Sequence, residues 1–121
     1  MADQTLTMVR RSVRKWKVSC FMPYPKAFEL TGASLWFTAK REYSDTDGNA
    51  IFALTVGTGI TVVDAAKGIA RVTVPRTATS ALESVRVILY WDLKLKDTSN
   101  DVFTVARGLL IVDPDVTANA S

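Results

Sequence analysis

The clearest strand signal lies in Ser84-Val-Arg-Val-Ile-Leu-Tyr-Trp-Asp-Leu-Lys-Leu-Lys96, where apolar side chains recur at every second position. The odd positions from Val85 to Leu95 are all apolar. The even positions from Arg86 to Lys96 carry four charges, one tyrosine and one isoleucine. Successive side chains of a strand point to opposite faces, so this period of two predicts a half-buried β-strand. A helix of the same length would scatter the apolar residues around its circumference.

Strand signals recur along the rest of the chain. Valine and threonine each occur 14 times in 121 residues, and branched side chains favour a pleated surface over a helix. Turn residues separate the segments, among them Gly57-Thr-Gly59 and the hairpin signal Asp47-Gly48. We expect further strands over 5–9, 14–22, 33–42, 49–56, 60–63, 69–74 and 102–112, with the first two forming a pair.

Seven or eight short strands predict one all-β domain over residues 1–121. The preferred architecture is a single antiparallel immunoglobulin-like β-sandwich, and a small β-barrel is the alternative. A chain with 48% hydrophobic residues has enough apolar side chains for such a core. The tail 118–121 is expected to fray.

Composition excludes much catalytic chemistry. The chain has no histidine, which is the usual general base near neutral pH and the commonest metal ligand. Its one cysteine, Cys20, lies in an alternating apolar run and is expected to be a small buried residue. The carboxylate pairs Asp45/Asp47 and Asp113/Asp115 suit turns. We therefore expect no enzymatic activity, no catalytic residue, no metal site and no cofactor.

Positive charge is concentrated in the first third of the chain. Residues 1–41 carry eight Lys/Arg against two acids (+6), and residues 42–121 carry seven against ten (−3). Three interpretations of the densest cluster remain open: a solvated strand face, a docking ridge for an acidic protein surface, or a nucleic-acid contact. The cluster consists of Arg10, Arg11, Arg14, Lys15 and Lys17.

Further candidate interface residues lie outside this cluster. Trp36 and Tyr90 are on faces opposite the main apolar rows, where they could form a stacking platform or be covered by a second sheet or subunit. Such a platform would also suit a carbohydrate or small ligand. Sheet edges can pair with a neighbouring chain. The N-terminal strand and the closing strand are the expected edges, the latter through Val102, Val105, Leu109 and Ile111.

An ordered series of motifs resembles a known family. It includes Glu29-Leu-Thr-Gly32-Ala, Leu35-Trp-Phe-Thr-Ala-Lys40, Tyr90-Trp-Asp-Leu-Lys-Leu95, Ala106-Arg-Gly108-Leu-Leu-Ile-Val112 and Asp115-Val-Thr117. The series resembles the small immunoglobulin-like β-sandwich modules of tailed bacteriophages, above all the N-terminal domain of baseplate upper proteins and related tail- and head-fibre modules. It spans about Leu6 to Thr117. The chain departs from the family in its basic N-terminal cluster and in Thr98-Ser-Asn-Asp101, where the family has a glycine.

The resemblance implies a bacteriophage virion structural protein: a non-enzymatic assembly or attachment module of the tail, baseplate or head fibre. It also implies other virion proteins as partners, a homo-oligomer in the particle, and synthesis in the host cytoplasm. No apolar leader or bilayer-long apolar run is visible, so we expect no membrane location. A capsid decoration or cement protein is one alternative. A nucleic-acid-binding β-domain that uses the basic N-terminal segment is another.

Overall fold

The computed structural model describes residues 4–19, 30–42, 50–80, 82–83 and 85–115. Several sequence predictions fall outside these ranges: the burial of Cys20, the turn at Asp45/Asp47 with its hairpin signal Asp47-Gly48, the strand ends 20–22 and 49, and the frayed tail 118–121.

The described chain is built almost entirely of β-strands, as the alternating pattern predicts. One short 3-10 turn, Arg76–Thr79, precedes the seventh strand. The strands are β1 (Gln4–Val9), β2 (Arg14–Ser19), β3 (Ser34–Lys40), β4 (Phe52–Val56), β5 (Gly59–Asp64), β6 (Ile69–Val74), β7 (Val87–Lys96) and β8 (Val102–Asp113). No helix within the described ranges has the length and apolar character needed to cross a bilayer.

All eight strands belong to one sheet in the order β1-β8-β7-β3-β4-β5-β6-β2, which curls nearly into a barrel. The all-β prediction is confirmed, in a form that agrees with a sandwich or a small barrel. The antiparallel prediction needs a correction, because the sheet is mixed. β1 runs parallel to β8, and β4 runs parallel to β5 over a short ladder. The other described pairings are antiparallel.

The predicted pairing of β1 with β2 is wrong. These strands are consecutive in the chain but lie at opposite ends of the sheet order, where β1 pairs with β8 and β2 pairs with β6. The backbone N–H of Arg10 donates to the carbonyl oxygen of Asp113, which ties the end of β1 to the end of β8. The chain then turns through Arg11, which has a φ of 58°, and continues into β2 at the other end of the sheet order.

The core fills the inside of the curled sheet. In β7 the odd residues face inward as predicted, and Leu89, Leu93 and Leu95 are fully buried. Aromatic rings occupy the centre of this core. The Phe37 ring stacks on Trp91 at a centroid distance of 5.1 Å, and on Trp16 and Phe52 at 6.0 Å each. The four rings come from β2, β3, β4 and β7, so they join both halves of the sheet.

Trp91 also holds the first strand in place. Its indole N–H lies 3.1 Å from the carbonyl oxygen of Leu109 and 3.3 Å from that of Gln4. Trp91 pairs with Gly108 across β7 and β8, and Gly108 pairs with Gln4 across β8 and β1. A Cβ atom at Gly108 would lie 1.7 Å from the Gln4 carbonyl oxygen. Only glycine at this position allows the backbone of β1 to approach so closely.

The closing strand β8 is only partly an edge. The prediction of an open edge is wrong for Leu109 and Ile111, because this part of β8 is hydrogen-bonded to β7 on one side and to β1 on the other. Val102 and Val105 lie in the earlier half of β8, which the ladder with β1 does not reach. The N-terminal strand β1 ends the sheet order, as predicted.

We expect Gly108→Ala to lower the free energy of unfolding by about 3 kcal/mol, because its methyl group would displace the β1 backbone. Gly57→Ala is the control. Gly57 has a φ of 89° and nothing within 4 Å of an added Cβ, so only backbone strain of about 1 kcal/mol is expected there. Urea unfolding followed by tryptophan fluorescence measures both. Equal losses for the two variants would contradict the close packing of β1 on β8.

Candidate functional site

The predicted basic cluster divides into two parts, one that forms ion pairs and one that is exposed on β2. Its first part, Arg10 and Arg11, faces the carboxylate of Asp115. Arg10 Nη1 lies 3.0 Å from one carboxylate oxygen, and Arg11 Nε lies 3.2 Å from the other. The backbone N–H of Arg11 also donates to the hydroxyl of Thr79, which is fully buried, at 2.8 Å. These contacts fasten the β1–β2 turn to the chain that follows β8.

The Asp115 carboxyl is 11% exposed, so its charged form depends on these partners. Burial raises the pKa of Asp115. Hydrogen bonds from its own backbone N–H and from Arg11, together with the charges of Arg11 and Arg10, outweigh burial and lower that pKa below its usual value. Arg10 and Arg11 are therefore structural residues of the turn, rather than the exposed ridge that their sequence spacing suggested.

The second part of the cluster is exposed on β2. Lys15 and Lys17 point outward from this strand, whereas Arg14 lies on the side of Trp16, with its guanidinium carbon 5.6 Å from the indole centroid. Trp16 itself packs against the core.

The neighbouring strand β6 adds a cation that the sequence analysis missed. Arg71 lies directly opposite Lys17 in the β2–β6 ladder and is also exposed. The alternation of β6 places Arg71 on an outer face, but only the strand pairing brings it beside the lysines. We call Lys15, Lys17 and Arg71 the basic face. Neither β2 nor β6 contains an aspartate or a glutamate, so the strands themselves offer this face no carboxylate.

Trp36 and Tyr90 lie together on the opposite region of the sheet. Both line a groove of about 630 Å³ on the outer faces of β3, β7 and β8, with one residue from β4 at its border. We call this the outer groove. Trp36 is 37% exposed, and Tyr90 is half-buried. The other residues that line the outer groove are mostly polar: Thr38, Lys40, Ala53, Trp91, Asp92, Lys94, Thr104 and Arg107.

The strand register sets the order of polar groups in the outer groove. Lys94 lies opposite Trp36, and its ammonium group is 3.2 Å from the hydroxyl of Thr104. One row along, Asp92 lies between Thr38 on β3 and Arg107 on β8. The outer groove is therefore lined by indole, ammonium, carboxylate and guanidinium groups.

Within the described ranges, no group of three or more histidine, cysteine, aspartate or glutamate side chains could hold a metal ion. The basic face and the outer groove are the two candidate functional surfaces that the described residues form.

We expect Asp115→Asn to lower the thermal midpoint at neutral pH, since it leaves Arg10 and Arg11 without their carboxylate. A carboxyl whose pKa is depressed in the folded state stabilises the fold above its unfolded pKa. That contribution is lost as the pH falls through the folded pKa. The difference from the unsubstituted protein should therefore vanish in acid, where both side chains are neutral.

Thermal unfolding from neutral to strongly acidic pH measures this effect. Asp101→Asn is the matched control, because Asp101 is exposed and forms no ion pair within the described chain. A loss at neutral pH that persists unchanged in acid would show that Asp115 acts through packing and not through its charge.

No protein-family model matches this chain, and no curated protein matches it either. Its functional interpretation therefore depends on the geometry and charge of the surfaces described above.

Proposed function

We propose that the protein is a non-enzymatic structural module of a tailed-bacteriophage particle, and that its basic face attaches it to an acidic surface of another virion protein. The basic face is the single observation that carries this proposal. Three exposed cations stand on two paired strands that contain no acidic residue. The resemblance of the motif series to phage baseplate and fibre modules supports the same function.

The arrangement of like charges on the basic face favours an anionic partner. Lys17 and Arg71 are directly opposite each other, and like charges at such positions repel. Carboxylates on a partner would relieve this repulsion and gain attraction from all three cations. Because the face is exposed, salt would weaken the contact, and its charges would serve orientation and speed of docking more than affinity.

Assembly of several copies is part of the proposal. Val9 and Ile88, on β1 and β7, expose about half of their surface. A contact between copies would cover such apolar side chains. The module would be made in the cytoplasm of the bacterial host and would reside in the tail, the baseplate or a head fibre. A capsid decoration protein would use the same surfaces at a different place in the particle.

Nucleic acid is the second candidate partner of the basic face, because phosphates would also neutralise three clustered cations. The sheet next to this face offers no exposed aromatic pair for stacking within the described residues, since Trp16 packs against the core. A protein surface is therefore the preferred partner.

We expect Lys15→Glu/Lys17→Glu to weaken attachment to phage particles that lack the module by at least about tenfold at low salt. Lys94→Glu/Lys96→Glu is the matched control. It also reverses two lysines spaced by two positions on an outer strand face, but away from the basic face. Co-sedimentation of purified module with the particles measures attachment.

The possible results distinguish a virion protein from nucleic acid as the partner of the basic face. Salt-sensitive sedimentation with particles, lost only in the β2 variant, would support the proposal. Absence of the protein from purified virions, together with a monomeric mass in solution, would overturn it. Retention of a duplex or single-stranded oligonucleotide, lost in the β2 variant while particle binding is undetectable, would assign the basic face to nucleic acid.

A further inference from the structure

We propose that the outer groove is a binding site for an acidic saccharide, meaning a chain of pyranose rings that carry carboxylates. This site is separate from the basic face. It lies on β3, β7 and β8, whereas the basic face lies on β2 and β6 at the other end of the sheet order. The inference therefore goes beyond the proposed attachment function and does not rest on it.

The size and shape of the outer groove suit a short oligosaccharide. Its volume of about 630 Å³ falls within the range of small-ligand sites, which is roughly 300–1,000 Å³. The groove crosses several strands of one continuous sheet. The backbone of β3 and β7 beneath it is therefore held by ladders on both sides, which fixes where their side chains enter the groove.

Trp36 supplies the apolar contact. It stands on the outer face of a strand whose inward neighbours, Leu35 and Phe37, are buried, so its exposure is imposed by the register of β3. The C–H face of a pyranose ring is apolar and flat, and it stacks well on an indole. Tyr90, on the next strand, adds a second aromatic side chain to the lining.

The polar lining supplies the selectivity. The lining of the outer groove carries a net positive charge, because it contains one carboxylate, Asp92, and three cations, Lys40, Lys94 and Arg107. Cations placed beside an aromatic platform can bind carboxylates at the ring edge, while the Asp92 carboxylate accepts hydrogen bonds from hydroxyl groups. A neutral sugar would use the aromatic platform and Asp92 but would gain no attraction from the net positive charge of the lining.

An acidic peptide fits this groove less well. Extended peptides gain most of their affinity by adding a strand to an open sheet edge. The two strands that carry Trp36 and Tyr90 are each hydrogen-bonded on both sides, β3 to β4 and β7, and β7 to β3 and β8. A peptide could therefore not add a strand beside Trp36 or Tyr90, because the half of β8 that β1 does not reach lies at the border of the groove. A saccharide presents its apolar face and its hydroxyls together to these aromatic side chains.

The test uses the purified full chain and trigalacturonic acid, with the methyl-esterified trisaccharide as the uncharged counterpart. Two-dimensional ¹H–¹⁵N spectra resolve the indole N–H signals of the three tryptophans. We expect trigalacturonic acid to shift the Trp36 signal far more than those of Trp16 and Trp91, and to bind at least about tenfold more tightly than the ester.

Matched variants make this proposal falsifiable. Trp36→Ala and Lys94→Ala should each weaken binding of the acidic trisaccharide by about tenfold or more, whereas Lys15→Ala, on the basic face, should leave it unchanged. Thermal unfolding of each variant confirms that the fold is intact. Equal affinity for acid and ester, tighter binding of hexaglutamate than of the saccharide, or no shift of the Trp36 signal at millimolar ligand would overturn the proposal.

The outcomes for the two surfaces are independent. Lys15→Glu/Lys17→Glu should impair attachment to particles and retain saccharide binding, whereas Lys94→Glu/Lys96→Glu should do the reverse. Failure of saccharide binding therefore says nothing against the structural role, and failure of particle attachment says nothing against the outer groove.

Discussion

The curl of the sheet depends on one line of contacts through its interior. Trp16 stacks on Phe37, Phe37 stacks on Trp91, and the Trp91 indole hydrogen-bonds to the backbone of Gln4. This line runs from β2 to β1, which are the two ends of the sheet order. Aromatic packing therefore draws together strands that no described backbone ladder joins. Gly108 completes the arrangement, because the missing side chain leaves room for β1.

Both candidate surfaces follow from this closure. Because the inside of the sheet is filled by aromatic and aliphatic side chains, polar and exposed aromatic residues are directed to the outside. The outer groove forms mainly over β3 and β7, whose backbone groups are paired on both sides, so recognition on these strands belongs to side chains. The basic face lies at the end of the sheet, and its charge is concentrated because Arg71 joins the two lysines across one ladder.

The sequence predicted individual strands and their buried faces, but it did not predict contacts between residues that are far apart in the chain. Alternation in β7 identified the strand and its buried face, and the faces of Trp36 and Tyr90 were predicted from the same period. Pairing partners are not encoded in that period. The two arginines and Asp115 are separated by 105 and 104 positions, so no spacing rule could reveal their ion pairs. Arg71 was missed for the same reason, since its position beside Lys17 is a property of the ladder.

The pairing of the first strand with the last has a mechanical consequence. β1 and β8 run parallel over six residue pairs, and the chain leaves them at opposite ends, before Gln4 and after Asp113. Tension between those two points would slide the strands along each other and load their hydrogen bonds simultaneously, in shear. Bonds that must break together resist far more force than bonds that are peeled apart singly. The architecture is thus suited to carry a pulling load along the chain.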